Sequence, residues 1–376
     1  MITVEKVNVT SPKEVNEFVK FPFQLYKDVP QWVPPIQSDI KLMLNKKKHP
    51  FYEHSDADFF VARENGDMVG RIALIENKPY NKFHNKKEAS FYLFECTDDQ
   101  GVANKLFEFA GDWVKNRKLN ALIGPKGLSP FDGYGLLVEG FEHRQMMTMM
   151  NYNKPNYPKF VEKIGFKKVV DWVSCYTNIS EFHMPDRVEE ISRRLQEKGK
   201  FKVLKFKSQG EMKKWAWRIG QAYNNTFVNN WEYYPLTENE IKTSVDNILM
   251  VAVPDLIKII TYEDEVIGFL FAFPDISAAL QRQKGTLTPW ALLDYLQEMK
   301  KTEWVSFNGV GVLPEYHGRG ANALLFDEME KSALSFKNFV HGELTQVAET
   351  ATQMRKDLVN LGVKPYKNHR IYGLDI

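Results

Sequence analysis

The chain has 376 residues, 43% of them apolar and 26% charged, the balance of a globular protein rather than a disordered or fibrous one. Fifty basic residues against 48 acidic ones leave a formal charge of +2, so neither nucleic acid nor a membrane is expected as a partner. The two cysteines, Cys96 and Cys175, show no metal-type spacing; no metal is expected, and a reduced, cytoplasmic setting fits them best.

The N-terminal Met-Ile-Thr-Val-Glu-Lys-Val lacks the profile of a secretory signal, and no uncharged apolar run approaches the length of a membrane span. Along the first half, a strand is predicted over 2–8 and a helix over 12–26. A hairpin follows near 58–75, with Asn65-Gly66 as its type I′ turn. A strand over 89–96 leads to a helix over 102–116, whose apolar spacing falls on Leu106, Phe109, Ala110, Trp113 and Val114. Strands over 119–123 and 172–178 close this half, with a short helix capped by Gly165 between them. After a polar helix over 187–198, the second half has a strand over 201–206, a helix over 211–226 and a hairpin over 256–273. A helix over 289–299, a strand over 304–313 and a helix over 321–334 come next. A strand over 340–347, a helix over 352–361 and a strand over 369–374 end the chain.

The halves echo one another. Two apolar strands joined by a short polar turn, the second entered through Val/Ile-Gly, occur around Gly70 and again around Gly268, 198 positions apart. A short helix, a glycine cap and a strand occur at Gly165 and at Gly362, 197 positions apart. Two independent matches at almost the same offset indicate a structural duplication, with domains at 1–182 and 183–376. Each half carries one insertion, at 126–153 in the first and 275–301 in the second, and insertions of this size often serve as lids or binding elements.

The chemistry concentrates in Val310-Gly-Val-Leu-Pro-Glu-Tyr-His-Gly-Arg-Gly-Ala321. An apolar strand ends at Pro314, a glycine-rich turn follows, and an amphipathic helix starts at once. Unpaired backbone N–H groups and the positive end of the helix dipole suit phosphate oxygens there, and glycines let them approach. Arg319 or His317 can add a charged contact. An ordinary tight β–α turn is the plain alternative. The segment is not a Walker A loop, since the Gly-Lys-Ser/Thr ending is missing, nor a Rossmann fingerprint.

The segment resembles motif A of the GNAT N-acyltransferases. The resemblance implies an α/β (α+β) fold of two tandem GNAT-like domains, each a mixed, mostly antiparallel twisted sheet flanked by helices, the first degenerate. It implies acetyl-CoA or another acyl-CoA as cosubstrate. By position, Val310, Gly311, Val312 and Leu313 line the pantetheine, and His317, Gly318, Arg319, Gly320, Ala321 and Asn322 hold the pyrophosphate. His317 replaces the usual Arg or Gln, and Asn322 the usual Gly or Ala. With Trp32-Val-Pro-Pro, Gly70-Arg-Ile-Ala and Phe94-Glu-Cys-Thr-Asp-Asp in its first half, the chain is similar to large bacterial tandem GNAT-like proteins, a group without an assigned acceptor.

The implied function is acyl-CoA-dependent N-acylation of a small amine, amino acid or peptide. The alternative is a non-catalytic acyl-CoA or ligand-binding protein of the same fold; a tRNA-dependent role like that of the Fem ligases is disfavoured by the charge. A homodimer is compatible with either. The family's usual tyrosine acid falls on Leu358 here, and its usual helix-opening asparagine on Ala351. Glu343 as base, and Tyr366 or Tyr372 as acid, are the substitutes to weigh, against solvated or packing roles for each. Trp231, Tyr233 and Tyr234 are candidates for the acceptor wall, or for interface core. In the first half, Glu95, Asp98 and Asp99 stand where the phosphate turn would be and would repel a pyrophosphate. No CoA is expected there; Asp98 and Asp99 read as helix caps, and the loop 124–135 as a cover for the acceptor.

Overall fold

The computed structural model describes residues 1–146, 150–228, 230, 231 and 233–376, apart from the side chains of Ala216, Met250 and Gln346. Residues 147–149 of the first insertion and Glu232 of the aromatic segment lie outside the described residues. The elements run β1 (Ile2–Lys6), α1 (Pro12–Leu25), α2 (Gln37–Leu44), β2 (Asp56–Glu64), β3 (Asp67–Glu76), α3 (Lys78–His84), β4 (Glu88–Cys96), α4 (Gln100–Asn116), β5 (Ala121–Gly124), β6 (Leu136–Glu139), α5 (Tyr157–Ile164) and β7 (Lys167–Asn178). They continue as α6 (Asp186–Lys198), β8 (Phe201–Leu204), α7 (Gln209–Thr226), α8 (Glu238–Val251), β9 (Ile257–Tyr262), β10 (Glu265–Pro274), α9 (Ser277–Gln283), α10 (Pro289–Lys301), β11 (Trp304–Val312), α11 (Ala321–Ser335), β12 (His341–Ala348), α12 (Thr352–Asn360) and β13 (Lys364–Asp375).

Local chemistry sets many of these boundaries. Asn65 and Gly66 both take positive φ, 51° and 92°, which makes the β2–β3 turn type I′. Gly165 ends α5 and Gly199 ends α6, both in the left-handed conformation that glycine adopts without steric cost. Asp99 caps α4 by accepting the N–H of Gly101, in line with the capping role expected of it. Thr237 and Glu240 form a reciprocal capping box that starts α8, a helix absent from the sequence reading.

The chain forms two compact units, both discontinuous in sequence. The first comprises Met1–Trp172, Ile276–Leu296 and Lys367–Ile376, and the second Val173–Asp275 and Gln297–Tyr366. The internal repeat predicts a single boundary between 182 and 183. The difference arises because a local pattern can predict a strand but not which strand it pairs with. In the first unit the strand order is β1-β2-β3-β4-β5-β13-β7, antiparallel from β1 to β4, parallel for β4–β5 and antiparallel for β5–β13. In the second unit it is β8-β9-β10-β11-β12-β7, antiparallel from β8 to β11 and parallel for β11–β12. The duplication is therefore visible strand by strand. The strand beside β5 comes from the chain's second half, and the strand beside β12 from its first.

Each unit buries both faces of its sheet, with side chains alternating along the strands. In the second unit Leu270 and Ala272 pack with Leu324, Leu325 and Met329 of α11. Phe269, Phe271 and Phe273 turn to the opposite face, toward Met212 of α7 and the partly buried Ile248 of α8. In the first unit Ile72 and Leu74 meet Val102, Leu106 and Phe107 of α4, while Ala73 and Ile75 meet Phe18 of α1 and Ile40 of α2. Fully burying a side chain of this kind contributes roughly 1.5–3 kcal/mol, so each helix is held by its apolar face. Among the described residues, no helix is long and apolar enough to cross a membrane.

Candidate functional site

In the second unit β10 and β11 keep register from Gly268↔Val312 to Leu270↔Val310, then slip so that Ala272 faces Phe307. The extra residue sits on β11, where Gly309 has φ 93°, a bulge that bends the strand. The parallel pairing of β11 with β12 runs only from Trp304↔His341 to Phe307↔Leu344, although both strands continue. The two strands thus part at the bulge, and among the described residues the edge of β11 from Asn308 onward has no β12 partner.

Beyond this fork, β11 ends at Val312 and the turn leads into α11. Gly318 and Gly320 have φ 71° and 89°, a region that a side chain would strain. Gly320 is the N-cap of α11 and no side chain caps the helix, so the first N–H groups of α11 lack an intrahelical partner. A Cβ on Gly320 would lie 2.7 Å from Ile191 Cγ2 on α6, whereas nothing stands within 4 Å of one on Gly318. Gly318 is the open side of the turn. The Arg319 guanidinium lies 5.2 Å from the centroid of the Tyr316 ring and is exposed. His317 Nε2 is 2.8 Å from the carbonyl oxygen of Val312. A carbonyl only accepts, so this nitrogen is the donor, and the ring ties the turn to the end of β11. Ala321 is buried and Asn322 half-buried. The strand residues Val310, Gly311, Val312 and Leu313 and the turn residues therefore form one continuous edge.

The other candidates are more scattered. Glu343 is fully buried on β12, opposite Ser306 and one pair before the fork. Burial raises the thiol pKa of nearby Cys175; the positive charge of Arg355 lowers it and the negative charge of Glu343 raises it. Tyr366 lies at the other end of β11, in an aromatic group with Tyr176, 6.0 Å between centroids, and Tyr176 in turn is 5.9 Å from Trp304. Trp304 and Gly309 are separated by roughly 16 Å of extended strand. Tyr372 belongs to the first unit, in its main core, where its hydroxyl donates to Glu162 at 2.8 Å. Within the second unit, the fork and Tyr366 are not brought together. Leu358, at the position of the usual acid, is buried with Val173, Cys175, Val347 and Val363, so no proton donor stands there.

The aromatic segment joins α7 to α8. Tyr234 is buried, and Trp231 and Tyr233 are half-buried. Asn224 pins the segment's end by bonding both the N–H and the carbonyl of Leu236, at 3.2 and 3.3 Å. Beside it is an open groove of about 390 Å³, lined in part by Trp217, Asn224, Leu236 and Ile241.

The first unit repeats the fork with different chemistry. Gly70 faces Cys96 and Arg71 faces Glu95, then the register slips at Leu93, φ 51°, so that Ala73 faces Tyr92. The β4–β5 pairing stops at Ser90↔Ile123. Arg71 and Glu95 thus hold the places of Phe269 and Gly311 in the second unit. Both are buried, and burial raises the Glu95 carboxyl to about 7 despite the opposing charge of Arg71 and the hydroxyls of Tyr26 and Tyr157. Tyr26 donates to Glu95 Oε2 at 2.6 Å, and the Tyr157 hydroxyl is 3.0 Å from the same oxygen. Arg71 donates to the carbonyl of Phe18 at 2.6 Å, while its Nε–H has no hydrogen-bond partner. The sequence pattern singles out Glu95 but not Arg71, Tyr26 or Tyr157. The signal was present as single charges inside two apolar strand runs.

Two forked sheets of the same strand order, one ending in an uncapped glycine turn, decide the fold. The protein is built on a tandem GNAT fold. A tandem GNAT protein from the clavulanic acid biosynthesis pathway superposes with a TM-score of 0.57 at 11% identity, covering 100% of this chain and 98% of that one. Protein YghO of Escherichia coli (strain K12) is 26% identical over 371 residues, 96% of this chain and 93% of that protein. The bacterial ceramide synthase of Caulobacter vibrioides (strain NA1000 / CB15N) is 25% identical over 372 residues, 97% of this chain and 96% of that protein. No protein-family model matches. Among the described residues, no group of His, Cys, Asp or Glu is placed to hold a metal ion.

Proposed function

We propose that the protein is an acyl-CoA-dependent N-acyltransferase whose second unit holds the acyl-CoA. The observation that carries this reading is the fork at Gly309 followed by the uncapped start of α11. The free edge of β11 at Val310, Gly311, Val312 and Leu313 would pair with the amides of the pantetheine. The N–H groups of Gly318, Gly320, Ala321 and Asn322, with the helix dipole behind them, would hold the pyrophosphate, and Arg319 would add a cation. His317, committed to Val312, would shape the turn rather than meet the phosphate directly.

In the transfer, the acceptor nitrogen forms an amide bond to the acyl carbon while the carbon–sulfur bond breaks. One proton leaves the ammonium before attack, a second leaves the nitrogen as the amide forms, and the thiolate takes up one. A backbone N–H between Gly309 and Val312 is the oxyanion donor, and Glu343 is the base. With Leu358 at the usual acid position, the sulfur departs as thiolate, which is acceptable because thiols ionise near pH 8.5. The likeness to a ceramide synthase over nearly the whole chain favours a long-chain amino alcohol as acceptor, ceramide being an N-acylated base of that kind. A small amine, amino acid or peptide is the broader class. Non-catalytic acyl-CoA binding is the second reading, and Leu358 and Ala351 favour it.

Calorimetric titration with acetyl-CoA and long-chain acyl-CoAs tests the site. Binding that Gly320→Glu abolishes and the exposed Arg319→Glu weakens about tenfold supports it; no binding, or binding indifferent to both changes, overturns it. Thiol release with a panel of amines, including a long-chain amino alcohol, then separates enzyme from binder.

A further inference from the structure

Among the described residues, five of the twelve exposed large hydrophobic side chains fall within ten positions: Leu287, Trp290, Leu292, Leu293 and Leu296. Trp290 is 79% exposed, Leu296 55% and Leu293 51%. All lie on α10 or in the turn before it, in the insertion of the chain's second half. At 100° per residue, Leu292, Leu296, Leu293 and Trp290 fan over one side of α10, and Ala291, Tyr295 and Glu298 face inward. The helix is thus inverted relative to a core helix: its apolar stripe faces outward.

The segment is firmly held. Arg282 grips Asp294 through Nε and Nη2 at 3.1 and 2.7 Å, and the Tyr295 hydroxyl donates to Thr286 at 2.7 Å. Gln281 donates to the carbonyls of Pro30 and Trp32, and the N–H of Gln37 donates to Gly285. A Cβ on Gly285 would lie 2.1 Å from the carbonyl oxygen of Pro35, so the turn is fitted to the first unit's 30–37 stretch. The apolar stripe is presented on a fixed support.

Charge selects among occupants. The charges on the outward side of α10 are Lys300 and Lys301, and Lys284 is exposed on the turn before it; Asp294 is committed to Arg282, Glu298 is buried, and the exposed Glu303 follows the helix end. One tryptophan and four half-exposed leucines offer on the order of 500 Å², short of the roughly 800 Å² per partner of a stable dimer. An apolar stripe with a tryptophan and lysines, on a helix too short to span, has the makeup of an interfacial helix. We propose that α10 and the turn at Leu287 dock the protein on an anionic lipid surface, with Trp290 and the leucines in the acyl boundary and the lysines at the headgroups. This goes beyond the acyl-transfer reading and does not require it. It departs from the expectation, drawn from overall charge, that no membrane is a partner.

Sedimentation of the full-length protein with phosphatidylglycerol-containing vesicles, beside purely zwitterionic ones, is the test. The expected result is binding to the anionic vesicles that falls at least tenfold in Leu293→Gln/Leu296→Gln and loses most of its salt dependence in Lys300→Glu/Lys301→Glu. Both variants change exposed side chains, and unchanged melting temperatures would show them folded. Trp290→Phe should remove a blue shift of emission seen on vesicle addition. Absence of vesicle binding, or binding equal in wild type and variants, overturns the proposal. So does a wild-type dimer in ultracentrifugation that Leu293→Gln/Leu296→Gln dissociates without changing vesicle binding, which would assign the stripe to a second copy of the chain.

Discussion

Asp171 on β7 accepts two hydrogen bonds from the Arg370 guanidinium on β13, from Nε at 2.8 Å and Nη2 at 3.0 Å, across 199 residues of chain. Lys168 adds an ion pair at 3.0 Å and Asn368 a hydrogen bond at 3.3 Å. The contact joins the last strand of the chain to the first unit. Burial alone would raise the Asp171 carboxyl, but the bonds from Arg370, Lys168 and Asn368 outweigh it and hold the pKa down to about 2. A depressed carboxyl stabilises the fold above its unfolded pKa and ceases to do so as pH falls through the folded value. Asp171→Asn should therefore cost about 2–3 kcal/mol at neutral pH, the scale of charged hydrogen bonds, and progressively less below pH 4. Urea denaturation of both proteins at pH 7 and pH 3 measures the difference.

Glu95 has the opposite sign. Its carboxyl is raised to about 7, chiefly by burial, so the folded state holds a proton that the unfolded chain releases near 4.5. Its favourable contribution is complete below that lower value and is lost as pH rises through 7. Glu95→Gln should be less stable than wild type at pH 5, and this deficit should shrink or reverse by pH 8. Melting temperatures at the two pH values decide it; a deficit that grows with pH would mean that Glu95 is ionised and paired with Arg71.

Much of this architecture was legible from local patterns, because periodicity, caps and turns are short-range. Asn65-Gly66, the strand into Pro314, the glycine turn and the Gly165 cap all follow from a few adjacent residues. The α8 helix is equally local, since Thr237 and Glu240 spell its capping box. Non-local features were not legible. Nothing in the strand 369–374 says that β13 lies beside β5, nor that residues 276–296 join the first unit. Arg71, Tyr26 and Tyr157 converge on Glu95 only once four separate elements pack. Tyr372, read as a possible acid for the second half, is carried by that same strand into the first unit's core.

The paired glycines of the two hairpins give a graded prediction. A Cβ on Gly70 would come within 2.9 Å of Leu106 Cδ1 and Val102 Cγ1, which are movable side-chain ends, whereas one on Gly268 would come within 2.5 Å of the Gly311 carbonyl oxygen. Overpacking costs about 1–3 kcal/mol, and backbone yields less readily than a side chain. Gly70→Ala should fall near the low end and Gly268→Ala near the high end in chemical denaturation. Because Gly268 faces Val312, the second change should also weaken acyl-CoA binding, and the first should not.

Glu343 sits opposite Ser306, one pair before β11 and β12 part, and the proposed function makes it the base. The side chain is fully buried, which is compatible with a base held beside the fork and equally with a structural partner for the charge of Arg355, which with Glu343 acts on the thiol of Cys175. The two roles separate in Glu343→Gln, which preserves shape and removes the charge. If Glu343 takes the proton from the amine, kcat should fall about 10²–10⁴-fold, with acyl-CoA affinity changed by less than about twofold and the melting temperature nearly constant. If it only balances Arg355, the melting temperature should drop while kcat at a permissive temperature stays near wild type. Thiol-release kinetics, calorimetry and thermal melts on the same preparation distinguish them, since transition-state and ground-state effects appear in different constants.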